Sequence, residues 1–113
     1  MNMRDVILAA AAAALALPIS ALAQGDPAAG KQKTTMCSGC HGIPGYKSVF
    51  PAVYSVPKLG GQHAAYLVKA LQAYKSGERS HPSMRAIAAD LNDADMADLA
   101  AYYAGSDTKT ATK

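Results

Sequence analysis

Tryptophan is absent from this 113-residue chain, Phe50 is its one phenylalanine, and aromatic residues make up only 6% of it. Without large rings, a chain this short lacks the material for a self-sufficient core. The nominal hydrophobic share of 50% does not compensate, because much of it is alanine, which buries little area. Cysteine is scarce too. Cys37 and Cys40 are the whole supply, which excludes a multi-disulfide scaffold. The length allows one domain and excludes a two-domain enzyme. No paired-carboxylate site, nucleophile elbow or phosphate loop is present. Something other than side chains is needed to fill the middle.

Apolar runs are short as well. Val6 to Leu17 is an uninterrupted run of 12 residues, followed by Pro18 and then Ala21-Leu22-Ala23. A membrane-spanning helix wants about 20 apolar residues. Even stretched from Val6 to Ala23 this segment has 18, with Pro18 and Ser20 among them. A brief apolar stretch before a small-x-small site is the pattern of a secretory signal peptide. Arg4 gives it a basic start, which Asp5 offsets. Residues 1–23 are therefore read as a signal peptide cut after Ala23, and residues 24–113 as the working domain, exported to the periplasm. No spanning segment is expected after cleavage.

Net charge is a modest +3, but it is unevenly placed. From Gln24 to Arg85 eight Lys/Arg face only Asp26 and Glu78, a local excess of +6. From Ala86 to Lys113 two lysines face Asp90, Asp93, Asp95, Asp98 and Asp107, giving −3. A solvated surface with ordinary scatter accounts for this. So does a positive face that steers acidic partners. Export and modest charge point away from nucleic acid.

Helix signals dominate the remainder. Asp26-Pro27 reads as an N-cap followed by proline at the first helical position, so a helix runs from about Pro27 toward Cys37. Seven glycines and prolines between Gly42 and Gly61 leave that stretch as loop, and a loop this long usually serves function. A second helix is predicted from near His63 to just before Gly77, with Leu67, Ala70, Leu71 and Tyr74 on one stripe. Ser80 to Ser83 reads as a loop around Pro82, with a short helix from about Met84 to Ala89. Asn92 caps a last helix whose inner stripe is Met96, Leu99 and Tyr103 and which Gly105 ends. No segment alternates with period two over four or more residues. The domain should be all helix and loop.

Cys37-Ser38-Gly39-Cys40-His41 is C-x-x-C-H, the attachment signature of a c-type haem. Two thiols one turn apart can each add to one of two neighbouring vinyl groups, and the next residue offers an imidazole to the iron. A dithiol redox couple is the first competing reading, but it usually sits on a βαβ background. A zinc site is the second, but no other cysteine pair exists, and His63 and His81 are the remaining histidines. A structural disulfide is the third, and it would close a tiny loop and stabilise little. One haem c, bound through Cys37 and Cys40 with His41 on the iron, is the reading adopted. It supplies the missing core, and the apoprotein is expected to be largely unfolded.

A sixth iron ligand would come from Met36, Met84, Met96, His63 or His81. Met36 precedes Cys37 and is held on the proximal side. Met96 falls on a packing stripe, where methionine is usually core. His63 lies at a helix start. Met84 follows the Pro82 loop and is anchored by a short helix, although an ordinary apolar contact would also explain it. His81, three residues earlier, is the rival and would give two imidazoles. A soft thioether favours ferrous iron and raises the reduction potential.

Several runs carry a resemblance. They are Gly25 to Lys31, Cys37 to Gly42, Pro57 to Gln62 and His63 to Leu67 in the first half, and Met84 to Ala88, Leu91 to Met96 and Leu99 to Ala104 in the second. Together they resemble class I cytochromes c, in particular the bacterial cytochrome c553/c4-type group. The resemblance implies an all-α, small helical domain wrapped around one covalent haem, with His41 proximal and Met84 distal. It also implies that the Pro57 carbonyl accepts the proximal imidazole proton, and that Gly30 lets the first helix cross close to Tyr102 or Tyr103. The stretch from Ile43 to Val56 departs from the usual short loop. The function implied is a periplasmic carrier of single electrons between redox proteins with acidic docking surfaces, not an enzyme. An electron-transfer subunit of a larger dehydrogenase or oxidase, and a haem protein with a labile sixth ligand, are the alternatives.

Overall fold

The computed structural model describes residues 25–49 and 52–106. The proposed signal peptide lies outside the described residues. Asp26 opens the first helix, α1 (Pro27–Gln32), by accepting the Ala28 N–H at 2.9 Å on its carboxylate. The chain turns at Lys33–Thr34 and re-enters helix as α2 (Thr35–His41). One continuous helix toward Cys37 was expected, and two are found. The break has a local cause. The Thr34 hydroxyl donates back to the Lys31 carbonyl at 2.8 Å, while the Lys33 side chain is drawn to the last helix. The attachment motif therefore sits inside α2 rather than after a helix.

A two-residue ladder joins β1 (Lys47–Ser48) to β2 (Tyr54–Ser55), antiparallel, with Lys47 opposite Ser55 and Ser48 opposite Tyr54. This corrects the expectation of helix and loop alone. Two residues are too few to show alternation. Helix α3 (Ala64–Ser76) ends at Gly77, whose φ of +89° is the left-handed cap that favours glycine. Helix α4 spans Pro82–Ala89 and starts two residues earlier than expected. Pro82 occupies its first turn, where its fixed φ suits the helix, and His81 caps it. Helix α5 (Asp93–Gly105) carries a reciprocal capping box between Asn92 and Asp95.

Helix α5 is the centre of the packing, with α1 and α3 against it and α4 against α3. The buried apolar side chains among the described residues are Leu67, Ala88, Met96, Leu99 and Ala100. Three of them lie on α5, and Met96 is core, as its stripe predicts. Lys75 of α3 donates to the Leu91 carbonyl between α4 and α5, which ties those elements together. The architecture is all-α in substance.

The α1–α5 crossing depends on one glycine. A Cβ on buried Gly30 would stand 2.0 Å from the Asp98 carbonyl oxygen and 2.9 Å from the Tyr102 Cβ. Both contacts are too close for any side chain, and the backbone contact cannot swing away. Gly30→Val should lower stability by about 3 kcal/mol in chemical denaturation of the holoprotein. Gly105→Ala, with nothing within 4 Å of its added carbon, should stay near wild type.

Charges close the same crossing. The Lys33 ammonium lies 2.7 Å from Asp95 and 2.6 Å from Asp98, and Asp98 also accepts the Asp26 N–H at 2.7 Å. Lys33 holds both carboxyls below their usual range, helped by the Asn92 N–H at Asp95 and the Asp26 N–H at Asp98. The two carboxylates raise Lys33 in return. Stability from the depressed carboxyls is present above their ordinary 3.8 and is lost as pH falls through the folded values. Stability from Lys33 is present below 10.5 and is lost at higher pH. Lys33→Met should therefore flatten the acid limb of a stability-against-pH curve. Some slope should remain, because the two backbone donors persist.

Candidate functional site

The site is assembled on α2. Cys37 and Cys40 stand three residues apart on one helical turn, a spacing that makes their side chains neighbours. Both are free thiols, Cys37 half-buried and Cys40 exposed. Burial pushes the Cys37 thiol up, and a hydrogen bond with the Tyr103 hydroxyl opposes that rise. Tyr103 in turn is driven well above the ordinary phenol range by its burial and then by Cys37. Sequence reading treated Tyr103 as core and missed this contact. A stripe position gives no signal for what a hydroxyl at its end will meet.

His41 is the last residue of α2, half-buried, with Nδ1 2.7 Å from the Pro57 carbonyl oxygen. A carbonyl can only accept, so Nδ1 must carry the proton. Nε2 is then left with its lone pair, and the ring is held in one orientation. The hairpin explains how residues 16 apart meet. Gly45 turns with φ +68°, the β1–β2 ladder follows, and the Val56 N–H donates to the Tyr46 carbonyl at 3.0 Å. The chain is thereby returned to His41 at Pro57. Ile43, Val49, Val53 and Tyr54 of this hairpin region are exposed apolar residues.

Met84 lies on another element, half-buried in the first turn of α4. Its N–H donates to His81 Nδ1 at 3.3 Å. The ring of His81 meets Tyr54 at 5.4 Å and Tyr74 at 6.4 Å, both edge to face. Arg79 stands 5.0 Å over the Tyr74 ring and donates to the Tyr66 hydroxyl at 3.3 Å. A cavity of about 290 Å³ is lined by Arg79, Ser80, His81, Pro82 and Arg85. The aromatic surroundings of His81 and Arg79 were not foreseen, since partners distant in sequence leave no local pattern.

These residues fit a haem by the chemistry of their donors. Among the described residues no three His, Cys, Asp or Glu side chains converge to hold a metal. A protein-only metal site of the zinc type needs three or four such donors. A macrocycle that brings four nitrogens of its own needs only axial ones. An imidazole with Nδ1 tied back and Nε2 free is such a donor, and two thiols on the same turn are suited to thioether bonds.

Residues 27–105 match the family described as Cytochrome c. Cytochrome c4 of Pseudomonas aeruginosa is 43% identical over 82 residues, covering 73% of this chain and 39% of that protein. Cytochrome c-554(548) of Halomonas halodenitrificans is also 43% identical over 82 residues, covering 70% of this chain and 94% of that one. The crystal structure of reduced recombinant cytochrome c4 from Pseudomonas stutzeri superposes with a TM-score of 0.54 at 33% identity, over 74% of this chain and 50% of that chain. This chain therefore spans well under half of the first cytochrome c4 and nearly all of the shorter relative. It belongs to the cytochrome c family, as a bacterial class I member with an all-α fold.

Proposed function

We propose that this chain is an exported, periplasmic monohaem cytochrome c that carries single electrons between larger redox proteins. The observation that carries the reading is the His41–Pro57 contact at 2.7 Å, His41 lying on the same helix as the two thiols. Haem c, when bound, supplies a reversible one-electron Fe(II)/Fe(III) couple. Cys37 and Cys40 would hold it covalently. His41 would offer Nε2 to the iron, with the Pro57 carbonyl retaining the Nδ1 proton and fixing the ring. Met84 would offer a soft thioether as the second protein ligand, favouring ferrous iron. If His41 and Met84 both held the iron, no open position would remain, which would favour electron transfer over oxygen or peroxide chemistry. A single C-x-x-C-H supports one haem, and the Val6–Leu17 run before Ala21-Leu22-Ala23 supports export.

The partner surface is proposed from charge. Lys31, Lys47 and Lys58 are exposed within the segment of +6 excess, and they would steer a partner with an acidic face. Purified holoprotein should cycle reversibly by one electron, and its ferrous form should not take up carbon monoxide. Electron-transfer rate with the native partner should fall as salt is raised toward about 0.15 M, where the Debye length is about 8 Å. Ready carbon monoxide binding would refute closed ligation, and a salt-independent rate would refute steering.

A further inference from the structure

We infer that His81 is a positioning residue for Met84: its ring, capping α4 and wedged between Tyr54 and Tyr74, sets how firmly the thioether holds the iron. The inference rests on Met84 being an axial ligand and adds the device that keeps it there.

Met84 sits in the first turn of α4. Pro82 has no N–H, and Met84 is the third helical residue. His81 serves this turn twice. Its carbonyl accepts the Arg85 N–H at 2.8 Å, and its Nδ1 accepts the Met84 N–H at 3.3 Å. Histidine is not among the preferred N-caps, which are Ser, Thr, Asp and Asn. As a cap its ring is held only if something else orients it. Here two tyrosines do so, Tyr74 from α3 and Tyr54 from β2. Three elements thus converge on the residue whose side chain fixes the backbone of Met84.

This gives the hairpin a second task. Between Ile43 and Val56 the chain forms the β1–β2 ladder, with Lys47 opposite Ser55 and Ser48 opposite Tyr54. One end of the hairpin leads to Pro57 behind His41, and Tyr54 reaches the ring beside Met84. The same hairpin therefore touches the supports of both His41 and Met84. It also recasts the sequence rivalry, because His81 contributes its lone pair to the Met84 backbone rather than competing for the metal.

The test uses ferric holoprotein and two readouts. One is the apparent Kd of added imidazole, which must displace Met84. The other is the long-wavelength absorption band of thioether-ligated ferric haem. His81→Ala should bind imidazole about fivefold more tightly and show a weaker band, the equivalent of a lost N-cap at ~1 kcal/mol. His81→Asn, whose amide oxygen can accept the same N–H, should restore wild-type affinity. Tyr54→Leu keeps the cap but removes one ring, and should tighten imidazole about twofold. It also serves should His81→Ala fail to mature. Affinity unchanged in His81→Ala and Tyr54→Leu, or unrestored in His81→Asn, overturns the inference. Met84→Ala separates the two levels. If Met84→Ala keeps the wild-type band and affinity, the ligand assignment itself fails. If His81→Ala rather than Met84→Ala opens the iron, His81 is the ligand and both readings fall.

Discussion

A variant with Cys37 and Cys40 both replaced by serine should accumulate as a colourless, largely unstructured chain. The buried side chains among the described residues are five, one of them alanine in α4 and another alanine in α5. A domain of this size buries only about 60% of the surface of its unfolded chain and is marginal without a staple. The α1–α5 crossing has ion pairs and close backbone contact, and partly solvated ion pairs contribute little by themselves. Stability on the order of 5 kcal/mol must then come largely from groups packed around the prosthetic group. Loss of both attachment thiols should remove essentially all of it. Far-ultraviolet circular dichroism during heating checks this. The expected trace is shallow and featureless, and a sigmoidal melt from a helical baseline would show that the polypeptide folds on its own.

Met84→His should leave a coloured, six-coordinate protein whose reduction potential is much lower. Axial ligands set haem potentials over roughly 0.8 V, and exchanging a soft thioether for an imidazole favours ferric iron. A fall on the order of a quarter of that range is expected in spectroelectrochemical titration. Geometry permits the exchange, since residue 84 sits in the first turn of α4, fixed by Pro82 and by the His81 cap. An unchanged potential would mean that another group occupies the sixth position. Met84→Ala should differ in kind, opening the iron to carbon monoxide rather than only lowering its potential.

Much of this is legible in the sequence. The C-x-x-C-H run, the Asn92 and Asp26 caps, the Gly77 stop and the Met96–Leu99 stripe are local patterns, and local hydrogen bonding decides them. Gly30 was legible only through resemblance, and the structure supplies its reason in the Asp98 carbonyl. What the sequence hid was non-local. The break at Lys33–Thr34 combines a local bond, Thr34 to the Lys31 carbonyl, with carboxylates 62 and 65 residues away along the chain, and no window around Lys33 contains those. The hairpin ladder is too short for periodicity. The Tyr103–Cys37 contact and the rings around His81 arise from packing between elements, which single-element patterns do not encode.

The most direct measurement is the intact mass of purified protein from cells competent in haem ligation, taken together with the absorption spectrum of the same sample. The account predicts a chain starting at Gln24, heavier by one haem that survives denaturation, with a low-spin ferric spectrum carrying the thioether band. A chain of bare polypeptide mass whose thiols at positions 37 and 40 both react with an alkylating agent would contradict it.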